Sequence, residues 1–335
     1  MKILFFGGTQ FVGRHMVAAA LAIGHEVTLF NRGKTNADLF PETEKIIGDR
    51  DQENGLDGLK NRKWDVVIDV NCYIPRWIKA SANFLKDAVN QYIFVSTGSV
   101  YDFQKLGRNT NESGSLLVLE DESTEEWNGP AYGGLKVLCE NAAENILPGK
   151  VLILRLGVVA GPFDPTDRVT YYVQRVAQGG EVLIPARPDW HVQFIDARDL
   201  ANYTMLAIEK NLTGIYNTIG NSITWQHFLD QCIAASGSDA KFIFLDDSKF
   251  ISENVDMAAK PFGTIPLAIP AELAHLRTFN NDKALGEGLL FRSALNTARD
   301  VLKWEKTRSD QEERQAGFSL EEEKELLLKW AKREK

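Results

Sequence analysis

A tyrosine and a lysine four positions apart, Tyr132 and Lys136, are the residues of this chain best suited to do chemistry together. Residues at that spacing share a face of a helix, so we expect the lysine ammonium to favour the phenolate and to lower the tyrosine pKa. Such a tyrosine can pass a proton to or from a carbonyl oxygen. Thr97, at the end of a predicted strand, is placed to hydrogen-bond the same oxygen. The spacing alone also fits an exposed pair on a helix. The catalytic interpretation therefore depends on the surrounding elements.

The stretch that would position this chemistry opens the chain. A wholly apolar run at 3–6 is followed by Gly7, Gly8 and Gly13, and then by an apolar-rich segment that predicts a helix over 16–23. A buried strand, a glycine turn and a helix are typical of a dinucleotide-binding unit, because glycines let the backbone approach a pyrophosphate and the helix N-terminus attracts that anion. The alternative is a glycine turn that only packs the strand against the helix.

The end of the second predicted strand, 26–30, bears on the choice of dinucleotide. In NAD-binding units an acidic residue at this point binds the ribose 2′-hydroxyl, whereas a basic residue suits a 2′-phosphate. Here Arg32 follows the strand, with Lys34 nearby, and no acid is present. The sequence therefore favours NADP, with NAD as the other choice. The alternative is that both cations are solvated turn residues.

Strands and helices alternate through the first half of the chain. The predicted strand at 64–70 is a nearly continuous β-branched run, as in a parallel strand buried on both faces. Alternation of this kind predicts an α/β fold, a Rossmann-type doubly wound parallel sheet with a smaller C-terminal substrate lobe. Asp49, after the third strand, fits either a place beside the adenine or a turn. The remaining predicted strands are 45–47, 91–96 and Val151–Leu156, and the helices are 77–89 and 131–146.

The second half of the chain has shorter elements and more prolines. We expect 193–195, a helix at 200–208 and a strand at 214–219 to return to the sheet. Thr224 is a plausible N-cap for a helix at 225–235, and Ser319 with Glu322 forms a capping box before the last helix. The predicted domains are 1–162 plus 192–222 for the dinucleotide, and 163–191 plus 223–335 for the substrate lobe and C-terminal helix.

Composition excludes several classes of protein. The 335 residues carry a net charge of −8, which argues against wholesale binding to nucleic acid or to an anionic membrane. The 3 cysteines are far apart and form no metal or disulfide pattern, so we expect a cytoplasmic protein without a metal. No segment approaches the roughly 18 apolar residues of a membrane span. Acidic residues cluster within 106–129, and we interpret that run as a solvated surface loop.

Six motifs follow one another along the chain: GGTQFVG (7–13), DVVID (65–69), VSTGSVY (95–101), YGGLK (132–136), LRLGVVAGP (154–162) and FIDARDLA (194–201). In this order they resemble the short-chain dehydrogenases/reductases, and specifically the extended branch that contains the NAD(P)-dependent epimerases and dehydratases. The resemblance is greatest to a bacterial subgroup with the motifs GGTxFVGR and GPxDPTDR, which is itself similar to chloroplast stem-loop RNA-binding proteins. The stretch 289–304 also resembles the closing helix of the family.

The resemblance implies roles for individual residues. Tyr132 would be the acid/base, Lys136 its partner and a ligand of the nicotinamide ribose, and Thr97 a donor to the reacting oxygen. Substrate contacts would come from Ser99, Arg168 and His191, and the alternative for the charged residues is a packing ion pair or surface charge. The implied cofactor-binding residues are Gly7, Thr9, Gln10, Phe11, Val12, Asn31, Arg32, Asp49, Asn71, Tyr73 and Lys136.

Three departures from the family pattern matter. Asn71, Cys72 and Tyr73 replace the small-residue run that is common after the fourth strand. Gln10 stands where the family usually has a glycine. Nucleotide-sugar epimerases usually place an aromatic residue and an asparagine where this chain has Leu156 and Gly157, which argues against a UDP-sugar 4-epimerase.

Two functional hypotheses remain open at this point. The first is an NAD(P)-dependent oxidoreductase or epimerase acting on a sugar-like small molecule, with no nucleic acid and no membrane as partner. The second is a dinucleotide-binding regulator or RNA-binding protein that keeps the fold without catalysis. Because the family often dimerises through helices of the sheet domain, a homodimer is a further expectation.

Overall fold

The protein is described here by a computed structural model that covers residues 1–127, 129–267, 278–309 and 311–333. The chain divides into two compact units. The first comprises Met1–Val158, Ala197–Gly220 and Phe279–Leu290. The second comprises Val159–Asp196, Asn221–Thr278 and Phe291–Lys335.

Short strands and helices alternate along the described residues. The strands are β1 Lys2–Phe6, β2 Glu26–Asn31, β3 Glu44–Ile47, β4 Trp64–Asp69, β5 Val89–Thr97, β6 Val151–Leu156, β7 Val158–Ala160, β8 Glu181–Ile184, β9 His191–Val192, β10 Phe194–Asp196, β11 Gly214–Thr218, β12 Ile223–Thr224 and β13 Lys241–Phe244. The helices are α1 Phe11–Ala22, α2 Pro75–Leu85, α3 Tyr132–Ile146, α4 Arg168–Ala177, α5 Ala197–Glu209, α6 Trp225–Ser236, α7 Ser248–Asn254, α8 Asp282–Gly286, α9 Ala294–Glu305 and α10 Leu320–Arg333.

A seven-stranded sheet forms the first unit, in the order β11-β6-β5-β4-β1-β2-β3. All of its ladders are parallel, and this confirms the predicted doubly wound α/β fold. Every residue of β6 is buried, as expected for a parallel strand with both faces covered. The strand order reverses between β1 and β4. Ligands bind open α/β sheets at the carboxyl ends of the strands that flank such a switch point.

The first two predicted helices have other boundaries in the structure. The first helix begins at Phe11 rather than at 16, and its first turn includes Gly13. The helix predicted for 77–89 ends at Leu85. Val89 pairs with Trp64 in the ladder between β4 and β5, so the gain of a ladder position outweighs continuation of the helix there.

In the second unit, short two-stranded pairings replace a large sheet. The segment predicted at 193–195 to return to the sheet forms β10 instead, which pairs with β7, so that prediction was wrong. By contrast, β11 does extend the main sheet beside β6, as predicted. The stretch 289–304, expected to be one closing helix, is helical only from Ala294 to Glu305.

Both predicted helix caps in the second unit are confirmed. Thr224 caps α6 by accepting a hydrogen bond from the His227 backbone N–H at 3.1 Å. The Ser319 hydroxyl accepts from the Glu322 backbone N–H at 3.2 Å, and the Glu322 carboxylate accepts from the Ser319 backbone N–H at 2.7 Å. Leu326 of α10 is buried in a cluster with residues of β8 and α7, so its apolar stripe is a packing face.

Candidate active site

The glycine turn between β1 and α1 has the geometry that its sequence predicts. Gly7 and Gly8 adopt φ values of +97° and +96°, which side chains other than glycine rarely tolerate. A Cβ at Gly13 would lie 2.9 Å from the Cα of Gly8, so α1 packs directly against the turn. The backbone therefore turns tightly at the carboxyl end of β1, and the chain leaves no room there for larger residues.

The N-terminus of α1 is open to an anion. Gln10 occupies the N-cap position, its side chain makes no capping hydrogen bond, and the first turn contains no acidic residue. Phe11 and Val12 are the first helical residues. The backbone N–H groups of such a turn, together with the positive end of the helix dipole, attract a phosphate.

Thr9 and Asn31 hold the turn in place. The Thr9 hydroxyl donates to the Thr35 carbonyl at 2.8 Å, and the Asn36 side chain donates to the Thr9 carbonyl at 2.8 Å. The Asn31 side chain donates to the Gly7 carbonyl at 3.4 Å and accepts from the Gly33 backbone N–H at 2.8 Å. These bonds fasten the segment after β2 to the glycine turn. Their role as cofactor ligands stays a prediction.

Arg32 is exposed at the end of β2. In the described part of the chain no hydrogen bond or ion pair engages its guanidinium. Its charge acts on Asp51, whose pKa is lowered by hydrogen bonds from Trp77 and Arg76 and, to a smaller extent, by Arg32. An anion that reached Arg32 would therefore also meet the Asp51 carboxylate.

Asp49 forms a turn. Its side chain accepts a hydrogen bond from the Asp51 backbone N–H at 3.1 Å, and its carbonyl accepts from the Gln52 N–H at 2.9 Å. A Cβ at Gly55 would lie 1.8 Å from the Asp49 carbonyl oxygen, so the loop is tightly closed. Of the two roles that the sequence left open, the structure shows the turn, and the place beside the adenine stays a prediction.

A buried ion pair lies below the switch point, and sequence reasoning missed it. Arg50 binds both carboxylate oxygens of Asp69, at 2.5 and 2.9 Å, and also donates to the Asn71 carbonyl at 2.5 Å. The Tyr92 hydroxyl donates to the same carboxylate at 2.9 Å. Burial alone would lower the pKa of Arg50, but Asp69 more than offsets this and raises it. Burial raises the pKa of Tyr92 well above its ordinary value.

This ion pair fixes the backbone after β4, where Asn71 begins the loop. Asp69 also accepts from the Asn71 backbone N–H at 3.3 Å, while the Asn71 side chain is exposed. The acid was visible in the sequence as the last residue of an apolar strand. Its partner was not, because Arg50 lies in a loop with no pattern of its own.

Lys136 is buried, with 3% of its surface exposed. Its ammonium donates to the carbonyls of Cys72 at 2.8 Å and Val95 at 2.7 Å, and lies 4.1 Å from the centre of the Phe94 ring. It thereby ties the loop after β4 to β5, a role that the sequence did not predict. An ammonium has three N–H donors, so one is left for a further acceptor. The action of Lys136 on Tyr132 and on a ribose stays a prediction.

Thr97, Ser99 and the start of α3 come together. The Thr97 hydroxyl donates to the Ser99 hydroxyl at 3.2 Å and accepts from the Ser99 backbone N–H at 3.1 Å. A Cβ at Gly133 would lie only 2.0 Å from the Ser99 carbonyl oxygen. Glycine at this position therefore lets the first turn of α3, which Tyr132 opens, pack directly on the residues that follow β5.

The Tyr132 side chain is half-buried beside Tyr73. The two ring centres are 6.4 Å apart. In the described part of the chain no hydrogen bond engages the Tyr132 hydroxyl, so it is available to an incoming oxygen. Burial, with a smaller effect of Tyr132, raises the pKa of Tyr73 to about 12, so Tyr73 is neutral at physiological pH.

A second buried ion pair anchors α3 to the sheet. Arg155, 1% exposed in β6, binds the Glu140 carboxylate of α3 at 2.6 to 3.2 Å. Ser96 donates to that carboxylate at 2.5 Å, and Arg155 also donates to the Tyr101 hydroxyl at 3.1 Å. Burial alone would lower the pKa of Arg155, but Glu140 raises it. The signal in the sequence was an arginine inside an apolar strand.

The two remaining substrate candidates belong to the second unit. Arg168 begins α4, and its Nε donates to the Thr166 hydroxyl at 3.2 Å. His191 is exposed in β9, with Nδ1 2.7 Å from the Ser222 hydroxyl. Their contact with a substrate stays a prediction.

Among the described residues, no group of three or more His, Cys, Asp or Glu side chains is arranged to hold a metal ion. None of the helices in that part of the chain has the length and apolarity needed to cross a bilayer.

Comparison with known proteins gives the family and the fold. The model of the NAD dependent epimerase/dehydratase family matches residues 3–219. Among curated proteins, the chloroplast stem-loop binding protein of 41 kDa b from Arabidopsis thaliana is 25% identical over 256 residues, which are 70% of this chain and 63% of that protein. The chain therefore spans less than two thirds of the length of this relative.

Solved structures share the fold at low sequence identity. The UDP-glucose 4-epimerase of Thermotoga maritima has a TM-score of 0.68 and 17% identity, over 92% of this chain and 99% of that one. The UDP-glucuronic acid 4-epimerase of Bacillus cereus in complex with NAD has a TM-score of 0.64 and 17% identity, over 92% and 99%. The dTDP-glucose 4,6-dehydratase of Bacillus anthracis in complex with NAD has a TM-score of 0.63 and 15% identity, over 97% and 99%.

Proposed function

The chain belongs to the NAD dependent epimerase/dehydratase family, and from that premise we propose that it is an NAD(P)-dependent oxidoreductase or epimerase. Its reaction would be hydride transfer at a secondary alcohol or carbonyl of a sugar-like small molecule. The observation that carries the proposal is the contact at Gly133, which brings the turn of α3 that holds Tyr132 against Thr97 and Ser99. We propose that the Tyr132 hydroxyl supplies the proton and that the hydroxyl pair of Thr97 and Ser99 holds the same reacting oxygen by a hydrogen bond, as reduction of a carbonyl requires.

The residues around the glycine turn fit a dinucleotide. Glycine at positions 7, 8 and 13 lets the backbone turn tightly where no side chain would fit, and the uncapped start of α1 suits the pyrophosphate. The third N–H donor of Lys136 would bind the nicotinamide ribose. The cofactor, when bound, supplies or accepts the hydride. The chain itself would hold the proton on the Tyr132 hydroxyl and orient the reacting oxygen through Thr97.

For the substrate, the names of the structural relatives support a sugar-like molecule. Two of them are named as a UDP-glucose 4-epimerase and a UDP-glucuronic acid 4-epimerase. In this chain Leu156 and Gly157 occupy the positions where sugar-nucleotide epimerases usually have an aromatic residue and an asparagine. We therefore propose Ser99, Arg168 and His191 as substrate contacts, and a substrate other than a UDP-sugar.

Arg32 supports a preference for NADP over NAD. Its exposed guanidinium, which makes no hydrogen bond or ion pair with the described residues, suits a 2′-phosphate. An enzyme that exchanges NADPH with solvent would be a reductase, whereas an epimerase would retain its cofactor and return the hydride. The preference for NADP favours the reductase slightly.

The substitution Tyr132→Phe tests the proposal. Turnover, measured as a change in NADPH absorbance against a panel of sugar aldehydes, ketones and nucleotide sugars, should fall by roughly 100- to 10,000-fold, because the acid/base hydroxyl is lost. Binding of NADPH should remain nearly unchanged.

Tyr203→Phe is the matched control, because the buried hydroxyl of Tyr203 has no hydrogen-bond partner among the described residues. Turnover by this variant should equal that of the wild type. If Tyr132→Phe weakens turnover and cofactor binding to the same extent, Tyr132 is structural and the proposed mechanism is wrong.

A further inference from the structure

An acidic loop before α3 carries one large aromatic side chain. We call residues 120–127 the strap. It contains five carboxylates and ends in Trp127, which is 44% exposed. The Trp127 ring stacks on Tyr73 with centres 4.6 Å apart and an interplanar angle of 18°. An exposed indole in an acidic loop would ordinarily be solvated, so the stack requires something that holds the strap in place.

An arginine ties the strap to two other segments of the chain. Arg76, in the first turn of α2, donates from Nε and Nη2 to the two carboxylate oxygens of Glu125, each at 2.8 Å. Its remaining nitrogen, Nη1, donates to Asp51 in the loop after β3. Asp51 also accepts from the indole N–H of Trp77 at 2.8 Å. Bidentate pairing of this kind fixes orientation as well as distance. Arg76 therefore joins three segments, namely the strap, the loop after β3 and the first turn of α2.

We call Arg76 with its two carboxylates, Asp51 and Glu125, the clasp. Its charges are present at neutral pH. Hydrogen bonds from Trp77 and Arg76 lower the pKa of Asp51, and the hydrogen bond from Arg76 lowers the pKa of Glu125. Both carboxylates are therefore ionised under physiological conditions. Glu125 is exposed, as predicted for the acidic run, and it also pairs with Arg76. That contact was not predicted, because Arg76 lies 49 positions away and no local pattern reveals it.

The stacked pair lies beside the proposed chemistry. Tyr73 has Trp127 stacked on its ring, and the centre of that ring lies 6.4 Å from the Tyr132 ring and 5.8 Å from the Lys136 ammonium. Tyr132 and Lys136 are the residues that we assign to the reacting end of the cofactor. A wall of two aromatic rings at that point would shield the nicotinamide from water.

We propose that Arg76 is a positioning residue that, by bridging Asp51 and Glu125, holds the strap so that Trp127 and Tyr73 cover the nicotinamide end of the cofactor. The inference rests on the proposed function. It adds that the strap has to detach before the cofactor can leave, so the clasp slows cofactor release. Cofactor retention, which separates an epimerase from an exchanging reductase, would then depend on an ionic contact outside the reacting groups.

Exposed ion pairs contribute little one at a time, so the effect of the clasp is bounded. Arg76 is half-exposed and makes two of them, one of which is bidentate. We expect its loss to speed cofactor release by roughly 3- to 30-fold. Because salt screens exposed charges, release from the wild type should also accelerate as ionic strength rises.

Stopped-flow measurement of NADPH release, at low and at high sodium chloride, tests the inference. Arg76→Gln should release NADPH faster than the wild type at low salt, and its release should accelerate less with salt than that of the wild type, the part that remains coming from the phosphates of NADPH. Arg76→Lys keeps the charge but not the bidentate geometry, and should fall between the two. Trp127→Ala should also release NADPH faster, while retaining the salt dependence of the ion pairs.

Arg62→Gln is the matched control. Arg62 is similarly exposed and pairs with Glu44 at 2.7 Å, at β3 and away from the strap. Its release rate should equal that of the wild type. If Arg76→Gln releases NADPH at the wild-type rate while the wild type binds NADPH, the strap does not control release and the inference is wrong. If the wild type binds neither NADPH nor NADH, the proposed function is overturned and the inference with it.

Discussion

Lys136 combines two tasks in one side chain. Its ammonium is buried and bonded to two main-chain carbonyls, which joins the ends of β4 and β5, and one N–H donor remains. A substitution there would disturb the backbone at the switch point as well as any proton chemistry. Tyr132 is therefore the better residue for separating catalysis from folding, since no hydrogen bond engages its hydroxyl in the described chain.

Arg32 gives a prediction at the scale of one residue. If its guanidinium binds a 2′-phosphate, Arg32→Ala should weaken NADPH binding by roughly 10- to 100-fold and leave NADH binding unchanged, because charge-assisted bonds to a phosphate are lost. Dissociation constants for both nucleotides, measured by fluorescence titration, provide the check.

Lys34→Ala serves as the control, since Lys34 is an exposed cation two residues further along. It should change NADPH affinity much less than Arg32→Ala does. Equal affinities for NADPH and NADH in the wild type, with no effect of Arg32→Ala on either, would show that the 2′-phosphate assignment is wrong.

At the scale of elements, the position of α3 decides whether the candidate site exists. Gly133 sets the closeness of the helix to the Ser99 backbone, and the Arg155–Glu140 ion pair anchors the same helix to β6. The first contact is steric and the second electrostatic. Together they fix the first turn of α3, and with it Tyr132, relative to the end of β5.

Gly133→Ala tests this arrangement. The added methyl group would lie 2.0 Å from the Ser99 carbonyl oxygen, which is backbone and cannot move aside cheaply. We expect the free energy of unfolding to fall by about 1–3 kcal/mol and turnover to fall further than cofactor binding. Urea unfolding measures the free energy of unfolding. Turnover and cofactor binding are measured on the same preparation and compared with the wild type.

Gly286→Ala is the control for replacing a helical glycine by alanine where no steric clash results. Gly286 is the last residue of α8, and no heavy atom lies within 4 Å of the Cβ that would be added. Its stability should stay the same or rise by about 0.5–1 kcal/mol, because alanine reduces the entropy of the unfolded chain. A Gly133→Ala variant as stable and active as the wild type would show that α3 does not need the close contact.

At the scale of the whole molecule, net charge separates the two functional hypotheses. The curated relative from Arabidopsis is named for stem-loop binding, yet this chain carries a net charge of −8. RNA binding draws most of its affinity from the neutralisation of phosphates by basic groups. An acidic chain lacks a general source of that affinity.

Filter binding with a structured RNA, across a series of salt concentrations, decides between them. We expect no tight complex at physiological salt, while NADPH binding by the same preparation persists. A tight complex whose affinity falls steeply with salt would contradict the enzyme proposal and support the RNA-binding alternative. The expected homodimer, like a cytoplasmic location, stays a prediction.

The sequence by itself determined the parts of this protein that depend on local pattern. The glycine turn, the buried parallel strands and both helix caps follow from neighbouring residues, because backbone conformation and burial periodicity are properties of short segments. Those segments also gave the family and the fold class. The ends of helices were predicted less accurately from the sequence. At Leu85 the helix ends early, because the residues that follow pair with a strand elsewhere in the chain.

Only the tertiary structure decided which charges meet. Arg50 with Asp69, Arg155 with Glu140 and Arg76 with Glu125 pair across 19, 15 and 49 positions of sequence. No periodicity encodes such pairs, since each depends on how strands are ordered and how helices return over them. The same reason applies to Lys136, whose place on the Tyr132 face was predictable and whose bonds to the ends of β4 and β5 were not.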